Sequence, residues 1–361
     1  MNFERFLNNR HGWLDLEGPD SDCVIASSVA VSRNLVDAPF PARLSSDARR
    51  DTLDRMTDAA RSIRSLPIDD EVDLSPLLKI EREFLRERRL ITDEMLAAKG
   101  ERRVLVGDRQ QASLMLQEED HLRLQVFRPG LALDFCWERA NRIDDELAER
   151  LTFAYHEEWG FCTSDPANAG TALRGHCFLH MPALVMSGDA ERVLETLEPL
   201  AISARPSVMG RSAPEFVDIF NARTFGQTES EVVRGVTEAA RSLAEYERQA
   251  REVLLGADRR ASTEDLVYRA WGILRHARSI SYDEAMALLS RVRLGIEMGL
   301  DIPMGLSTLN NLMVYMQPAH LDLLRGGSFG PDERQHWRAE LIRHRLKYPD
   351  QGPRPGDKKS H

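Results

Sequence analysis

The seven residues Gln117-Glu118-Glu119-Asp120-His121-Leu122-Arg123 constrain this chain more than any other stretch. Upstream lies the apolar run Ala112-Ser113-Leu114-Met115-Leu116. Downstream, Leu122, Leu124 and Val126 recur at every second position. A period of two places alternate side chains on one face of a strand, so both flanks read as strands and the acidic run falls at a strand end or hairpin tip. Three adjacent carboxylates repel one another, and a plain turn has cheaper solutions such as Asn-Gly. Taken alone, the run defaults to a solvated acidic turn; the rest of the chain gives it another meaning.

Cys23 to Val31 reads as a buried strand, stopped beyond Arg33-Asn34-Leu35 by Pro39-Phe40-Pro41. Helical periodicity predicts helices over 45–64 (Leu53, Met56, Ala59, Ala60), 76–98 behind Ser75-Pro76, and 134–159 (Ala140, Ile143, Leu147, Leu151, Ala154). A further helix over 228–256 carries Val232, Val236, Ala239, Ala240 and Leu243. Residues 163–175 and 205–214, rich in Gly, Pro and small polar residues, read as loops. Beyond Gly256 the patterns are only helical: 265–279, 281–299 opened by the capping box Ser281-Tyr282-Asp283-Glu284, 306–316 and 332–346. The fold class is therefore α+β over 1–255, followed by an all-helical part over 256–346. Residues 347–361 form a polar tail expected to be disordered.

With 361 residues, 42% of them hydrophobic, the chain can bury a large core. Its net charge of −10 argues against a nucleic-acid partner while leaving room for a local basic pocket. Cys23, Cys136, Cys162 and Cys177 form no CxxC pair, so no zinc site or disulfide framework is expected, and no protein-built metal site. There is no run of about 18 apolar residues and no apolar leader after Met1, which points to a cytoplasmic protein with reduced thiols and no membrane partner.

With these residues in view, the chain resembles the ATP:guanido phosphotransferases, in their protein arginine kinase branch. The family's Asn-Glu-Glu-Asp-His-x-Arg reads Gln117 to Arg123 here, and its Cys-Pro-x-Asn-x-Gly-Thr-Gly-x-Arg reads Asp165 to Arg174. Tyr268 to Ser279, Leu288 to Gly295 and Gln317 to Leu321 resemble the protein-modifying branch, in the expected order along nearly the whole chain. The resemblance implies a guanido-kinase, glutamine synthetase-like antiparallel sheet flanked by helices over 1–255. It implies a helical dimerisation and phosphoarginine-binding domain over 256–346. The implied activity transfers the γ-phosphate of Mg2+-bound ATP to protein arginines, marking them for Clp-type proteolysis or regulation. The implied partners are proteins with exposed arginines, an activator protein, the Clp protease system and a second copy of the chain.

An arginine side chain stays protonated at neutral pH, so a carboxylate must orient and deprotonate it, while cations neutralise the triphosphate. By resemblance Glu119 is the base, with Glu118 and Asp120 orienting or tuning it. Ser27, Ser28, Arg33, Arg89, His121, Arg123, Arg174 and Arg205 fall to the nucleotide. Arg334, Arg338 and Ala339 match the phosphoarginine pocket, with Gln335 in place of its aspartate. Other departures are as informative. Ser28 and Ala30 stand where the family has two phosphate-binding arginines, Arg89 replaces a histidine, and Asp165 replaces a cysteine. Gly210-Arg211-Ser212 lacks the glutamate of the family's Gly-Glu-Gly loop. The alternative is a pseudokinase, a dimeric phosphoarginine-binding scaffold.

Overall fold

The computed structural model describes Phe6, Gly12, Leu14 and residues 17–207 and 213–349. The Gly210 loop, most of the expected disordered tail and most of the first sixteen residues lie outside these. Ten strands are described: β1 (Val24–Arg33), β2 (Ile68–Asp73), β3 (Arg103–Gly107), β4 (Ala112–Leu116), β5 (Leu122–Pro129), β6 (Tyr155–His156), β7 (Gly160–Phe161), β8 (Leu173–His180), β9 (Ile202–Pro206) and β10 (Phe216–Asn221). Eight form one sheet in the order β2-β3-β4-β5-β1-β8-β10-β9, every neighbouring pair antiparallel. β6 and β7 make a separate two-stranded ribbon.

The helices of the first part are α1 (Ser46–Ser62), α2 (Lys79–Glu87), α3 (Asp93–Ala97), α4 (Leu133–Ala148), α5 (Pro182–Ser187), α6 (Ala190–Glu195) and α7 (Glu229–Leu255). Then come α8 (Ala257–His276), α9 (Tyr282–Glu297), α10 (Leu306–Tyr315), α11 (Pro318–Arg325) and α12 (Pro331–Lys347). α7 starts with a full capping box, Thr228 with Glu231, satisfying two of the free amides of its first turn. Lys347, expected in the tail, is the last residue of α12.

Two expected helices are shorter than their apolar periodicity. Residues 76–98 break into α2 and α3 because Arg89 adopts a left-handed φ of 59°. The stretch 134–159 is helical only to Ala148: Leu151 remains in the core, but Ala154 N donates to Asn34 O at 2.7 Å and Val36 N to Thr152 O at 3.0 Å. Pairing with the chain after β1 outcompetes the helix there, and the ribbon follows.

Strand alternation divides the chemistry of the sheet between two faces. On one, Val29 and Val31 of β1, Leu122 and Leu124 of β5, Leu173 and Cys177 of β8, and Ile219 of β10 pack with Ala140, Ile143 and Leu147 of α4. Val232, Val236, Ala240 and Leu243 of α7 complete that layer. On the other face Phe127, Phe178 and Phe216 share a core with Leu274, Leu289, Leu312 and Ile342 of the C-terminal helices. These helices thus cover only part of the second face. What remains open lies around the polar residues of β1, β5, β8 and β10.

Candidate active site

The open part is a cleft of about 530 Å³. Its floor carries Ser28 and Ala30 from β1, Arg123 and Gln125 from β5, Arg174 and His176 from β8, and Asp218 and Phe220 from β10, with Arg205 from β9 beside them. Register explains the grouping: Ala30 is paired with Gln125 and Arg174, Ser28 with His176, and Asp218 with Arg205. Arg174 Nη2 donates to Asn168 Oδ1 at 2.8 Å, and the Arg174 and Arg205 guanidinium carbons lie 5.2 and 5.0 Å from the Phe220 ring centre. Burial, then the charges of Arg123 and Arg205, push the Arg174 pKa down. Arg123 has a long contact to Glu118, at 3.9 Å, and the three cations crowd one another, an arrangement that favours an anion.

One wall is the 86–94 segment between α2 and α3. Arg86, Glu87, Arg89, Ile91, Thr92, Asp93 and Glu94 all face the cleft. The C-terminal helices hold it in place: Glu87 accepts from Ala319 N at 2.9 Å and His320 N at 3.0 Å, occupying the amide end of α11. Arg89 approaches Asp218 at 3.6 Å and donates to Ser207 Oγ at 3.3 Å. Asp218 also pairs with His176 at 3.1 Å. Burial would raise the Asp218 pKa, but His176 and then Arg89 outweigh it and hold the carboxyl far below the usual range. None of Glu94, His176 or Asp218 was anticipated. The signal for His176 was available, since it follows Arg174 by two along a strand.

At the mouth stand Glu118 and Glu119. Gln117 takes a left-handed φ of 66° and its amide donates to His121 O at 2.8 Å, closing the hairpin tip between β4 and β5. Glu118 is buried, accepts from the Thr92 hydroxyl and lies 3.9 Å from Arg123 Nε. Its pKa is raised by burial, against the opposing pull of Arg123 and Thr92. Glu119 is exposed, and its pKa is raised by partial burial and then by the negative charges of Glu94, Asp120 and Asp165. The cleft is thus bipolar, anionic at its mouth and cationic along its floor.

Four expected site residues point elsewhere. Ser27 and Arg33 have the opposite parity on β1 from Ser28 and Ala30. Ser27 Oγ donates to Gly130 O at 2.7 Å and accepts from Ala132 N at 3.1 Å. Arg33 is buried, paired through Nη2 with Asp144 of α4 at 2.6 Å, and stacked 3.5 Å from the Phe161 ring centre. His121 is fully buried, its Nδ1 accepting from Leu35 N at 3.2 Å, and burial pushes its pKa down to about 4. Asp120 is buried too. Its Oδ1 accepts from Asn34 Nδ2 at 2.6 Å and Ser164 N at 2.7 Å, tying the hairpin tip to the 162–165 loop. Ser27, Arg33 and His121 are corrected from nucleotide ligands to groups held by internal contacts, whereas Asp120 keeps the expected part of orienting and tuning Glu119. Asp120 positions Glu119 through the backbone they share.

In the helical part, Arg334 is bound by Asp322 Oδ1 at 2.8 Å. Arg338 is buried and donates to Met316 O at 2.9 Å and Ile280 O at 3.1 Å, while Ala339 lies in the core. The two arginines of the expected clamp are drawn inward here, Arg334 toward the Asp322 carboxylate and Arg338 toward the Met316 and Ile280 carbonyls.

The arrangement of sheet and helices is that of the guanidino kinases. It matches the duplicated taurocyamine kinase of Schistosoma mansoni, with bound transition state analog components, at a TM-score of 0.60 and 22% identity. That match spans 69% of this chain and 38% of the other. Lombricine kinase matches at 0.55 and 18%, over 67% of this chain and 72% of that one. The fold is therefore a guanidino-kinase fold.

Sequence carries the assignment further. The profile of the ATP:guanido phosphotransferase C-terminal catalytic domain matches residues 52–250, and that of the protein-arginine kinase McsB C-terminal domain matches 260–356. The protein-arginine kinase of Halothermothrix orenii is 36% identical over 351 residues, 96% of this chain and 99% of that protein. That of Moorella thermoacetica is 37% identical over 346 residues, 94% and 98%. The chain belongs to the ATP:guanido phosphotransferase family, for which ATP is the phosphoryl donor. Among the described residues no helix is long and apolar enough to cross a membrane.

Proposed function

We propose that this protein is an ATP-dependent protein-arginine kinase of the cytoplasm. The observation that carries this reading is the bipolar cleft, with proton-seeking Glu119 at its mouth and Arg123, Arg174 and Arg205 along its floor. The triphosphate lies on the floor, its γ-phosphate directed at the mouth. The target arginine enters beside Glu118 and Glu119, which orient it by charge-assisted hydrogen bonds. A guanidinium nitrogen attacks the γ-phosphorus while the bond from that phosphorus to the β–γ bridging oxygen breaks. Glu119 takes the proton from the attacking nitrogen, and ADP leaves with the bridging oxygen's electron pair. Arg123, Arg174 and Arg205 hold the equatorial and leaving oxygens as charge shifts onto them.

No three His, Cys, Asp or Glu side chains among the described residues are grouped to hold a metal ion. Magnesium, in this reading, arrives on the triphosphate rather than in a protein cage. The family relatives' names support arginine residues of proteins as the acceptor. A second copy bound through residues 256–346, an activator protein and a Clp-type protease acting on the marked product belong to the same proposal.

The test is incubation with Mg-ATP and an unfolded arginine-rich protein, followed by mass spectrometry for phosphoarginine. Wild type yields product and Glu119→Gln yields at least about a hundredfold less; equal, background-level signals from both refute the reading. One observation favours a second reading. Ser28 and Ala30 leave uncharged ground on the floor, as in a pseudokinase that keeps the scaffold and binds phosphoarginine. Calorimetry silent toward ATP, but with heat on adding phosphoarginine, decides for it.

A further inference from the structure

The ribbon of β6 and β7 is used neither by the core nor by the cleft. Tyr155 is 61% exposed and Trp159 58%, and Phe225, on the neighbouring loop, is 55% exposed. These rings are not loose. The His156 and Trp159 rings stack at 4.6 Å, Tyr155 packs edge-on to Phe161 at 5.3 Å, and Phe161 is clamped beneath Arg33. Gly160, at φ 71°, lies against Gly170, at φ 102°, and Gly170 lies against Thr224 and Phe225; a β-carbon at either glycine would come within 2.5 Å of a carbonyl oxygen. Bare backbone packing thus brings the ribbon and the backbone at Phe225 together along one edge that carries exposed aromatic rings.

That edge is continuous with the mouth of the cleft. Asn168, two residues before Gly170, lines the cleft. Beyond Phe161, Ser164 Oγ donates to Glu119 O at 2.6 Å and Ser164 N to Asp120. Exposed Glu157, Glu158 and Asp165 add negative charge along the same rim.

We infer that this edge is the docking surface for the polypeptide that carries the target arginine, and that it selects arginines flanked by aromatic or large aliphatic side chains in an extended segment. The inference rests on the protein-arginine kinase reading and gives it a substrate class. A strand-like segment advances about 3.3 Å per residue, so an arginine at Glu119 leaves its near neighbours over the rim. Aromatic side chains meet the rings of Tyr155, Trp159 and Phe225 there, and the acidic rim favours a basic segment. Large apolar side chains beside an arginine are normally buried in a folded protein. The edge therefore favours unfolded chains over folded surfaces.

The experiment compares two short peptides that differ only in having phenylalanine or glycine on either side of the arginine. A benzophenone-bearing version of the phenylalanine peptide adds a readout that needs no turnover. Wild type is expected to prefer the phenylalanine peptide about tenfold in kcat/KM. The preference falls toward one in Trp159→Ala and in Tyr155→Ala, and stays in Trp159→Phe. The photoadduct maps to 155–161 or Phe225. Equal use of the two peptides by wild type, an unchanged preference in both alanine variants, or an adduct elsewhere overturns the inference. So does a change from dimer to monomer in Trp159→Ala with the preference intact, which would make the edge a self-association surface. If neither peptide is phosphorylated, the kinase reading fails, and the adduct position alone decides the docking surface.

Discussion

Replacing Ala30 with arginine should tighten ATP binding. Ala30 sits on the cleft floor, opposite Arg174 on one neighbouring strand and Gln125 on the other, with Arg123 on the diagonal beside Ser32. Opposite β-carbons in a sheet are about 5 Å apart and diagonal ones about 7–8 Å, so an added guanidinium reaches the ground between Arg123 and Arg174, where the proposed function puts the triphosphate. One charge-assisted contact contributes roughly 1.5–3 kcal/mol. Against it stands repulsion from Arg174, about 1 kcal/mol at some 6 Å with an effective dielectric near 55. The net of roughly 0.5–2 kcal/mol corresponds to about 2- to 30-fold in Kd. The assay is calorimetric titration with Mg-ATP alongside KM for ATP, with Ala30→Gln as the uncharged control of similar reach. The gain should shrink from 50 mM to 300 mM salt, about the range over which screening sets in. Affinity unchanged or weakened in a folded Ala30→Arg protein, or matched by Ala30→Gln, would refute the placement of phosphate on this floor.

Two further outcomes test the roles of buried and exposed charges. Arg33→Met leaves Asp144 buried without its partner, so it should cost roughly 3–5 kcal/mol in urea unfolding, while KM for ATP in the surviving folded fraction stays within about twofold; a large KM change with little loss of stability would return Arg33 to the nucleotide. Glu119 must be unprotonated to act as base, and its pKa lies above the usual glutamate value because of partial burial and the charges of Glu94, Asp120 and Asp165. Turnover should therefore be full on the alkaline side of that raised pKa and fall as pH drops through it, and Glu94→Gln should move the acid limb to lower pH. An acid limb that Glu94→Gln leaves in place would show that another group is being titrated.

The sequence by itself determined the elements and the side chains that travel together. Alternation around Gln117 to Arg123 specified strands on both sides with the carboxylates at a strand end or hairpin tip, and the pairing of β4 with β5 makes it a hairpin tip. Motif order specified the family, and with it the carboxylate and arginine that meet in the cleft, Glu119 and Arg174. A period of two says which residues share a face, but not which face stays open. Only the packing of α4 and α7 on one side, and of the C-terminal helices over part of the other, turned Ser28, Ala30 and Arg123 toward the cleft and Ser27 and Arg33 into the interior. The same holds for the wall. Nothing local marks Glu94 or Asp218, because their neighbours in the cleft are far away in the chain. The break at Arg89 and the end of α4 at Ala148 were likewise decided by contacts with distant residues, which outweigh the few tenths of a kcal/mol per residue by which helical propensity acts.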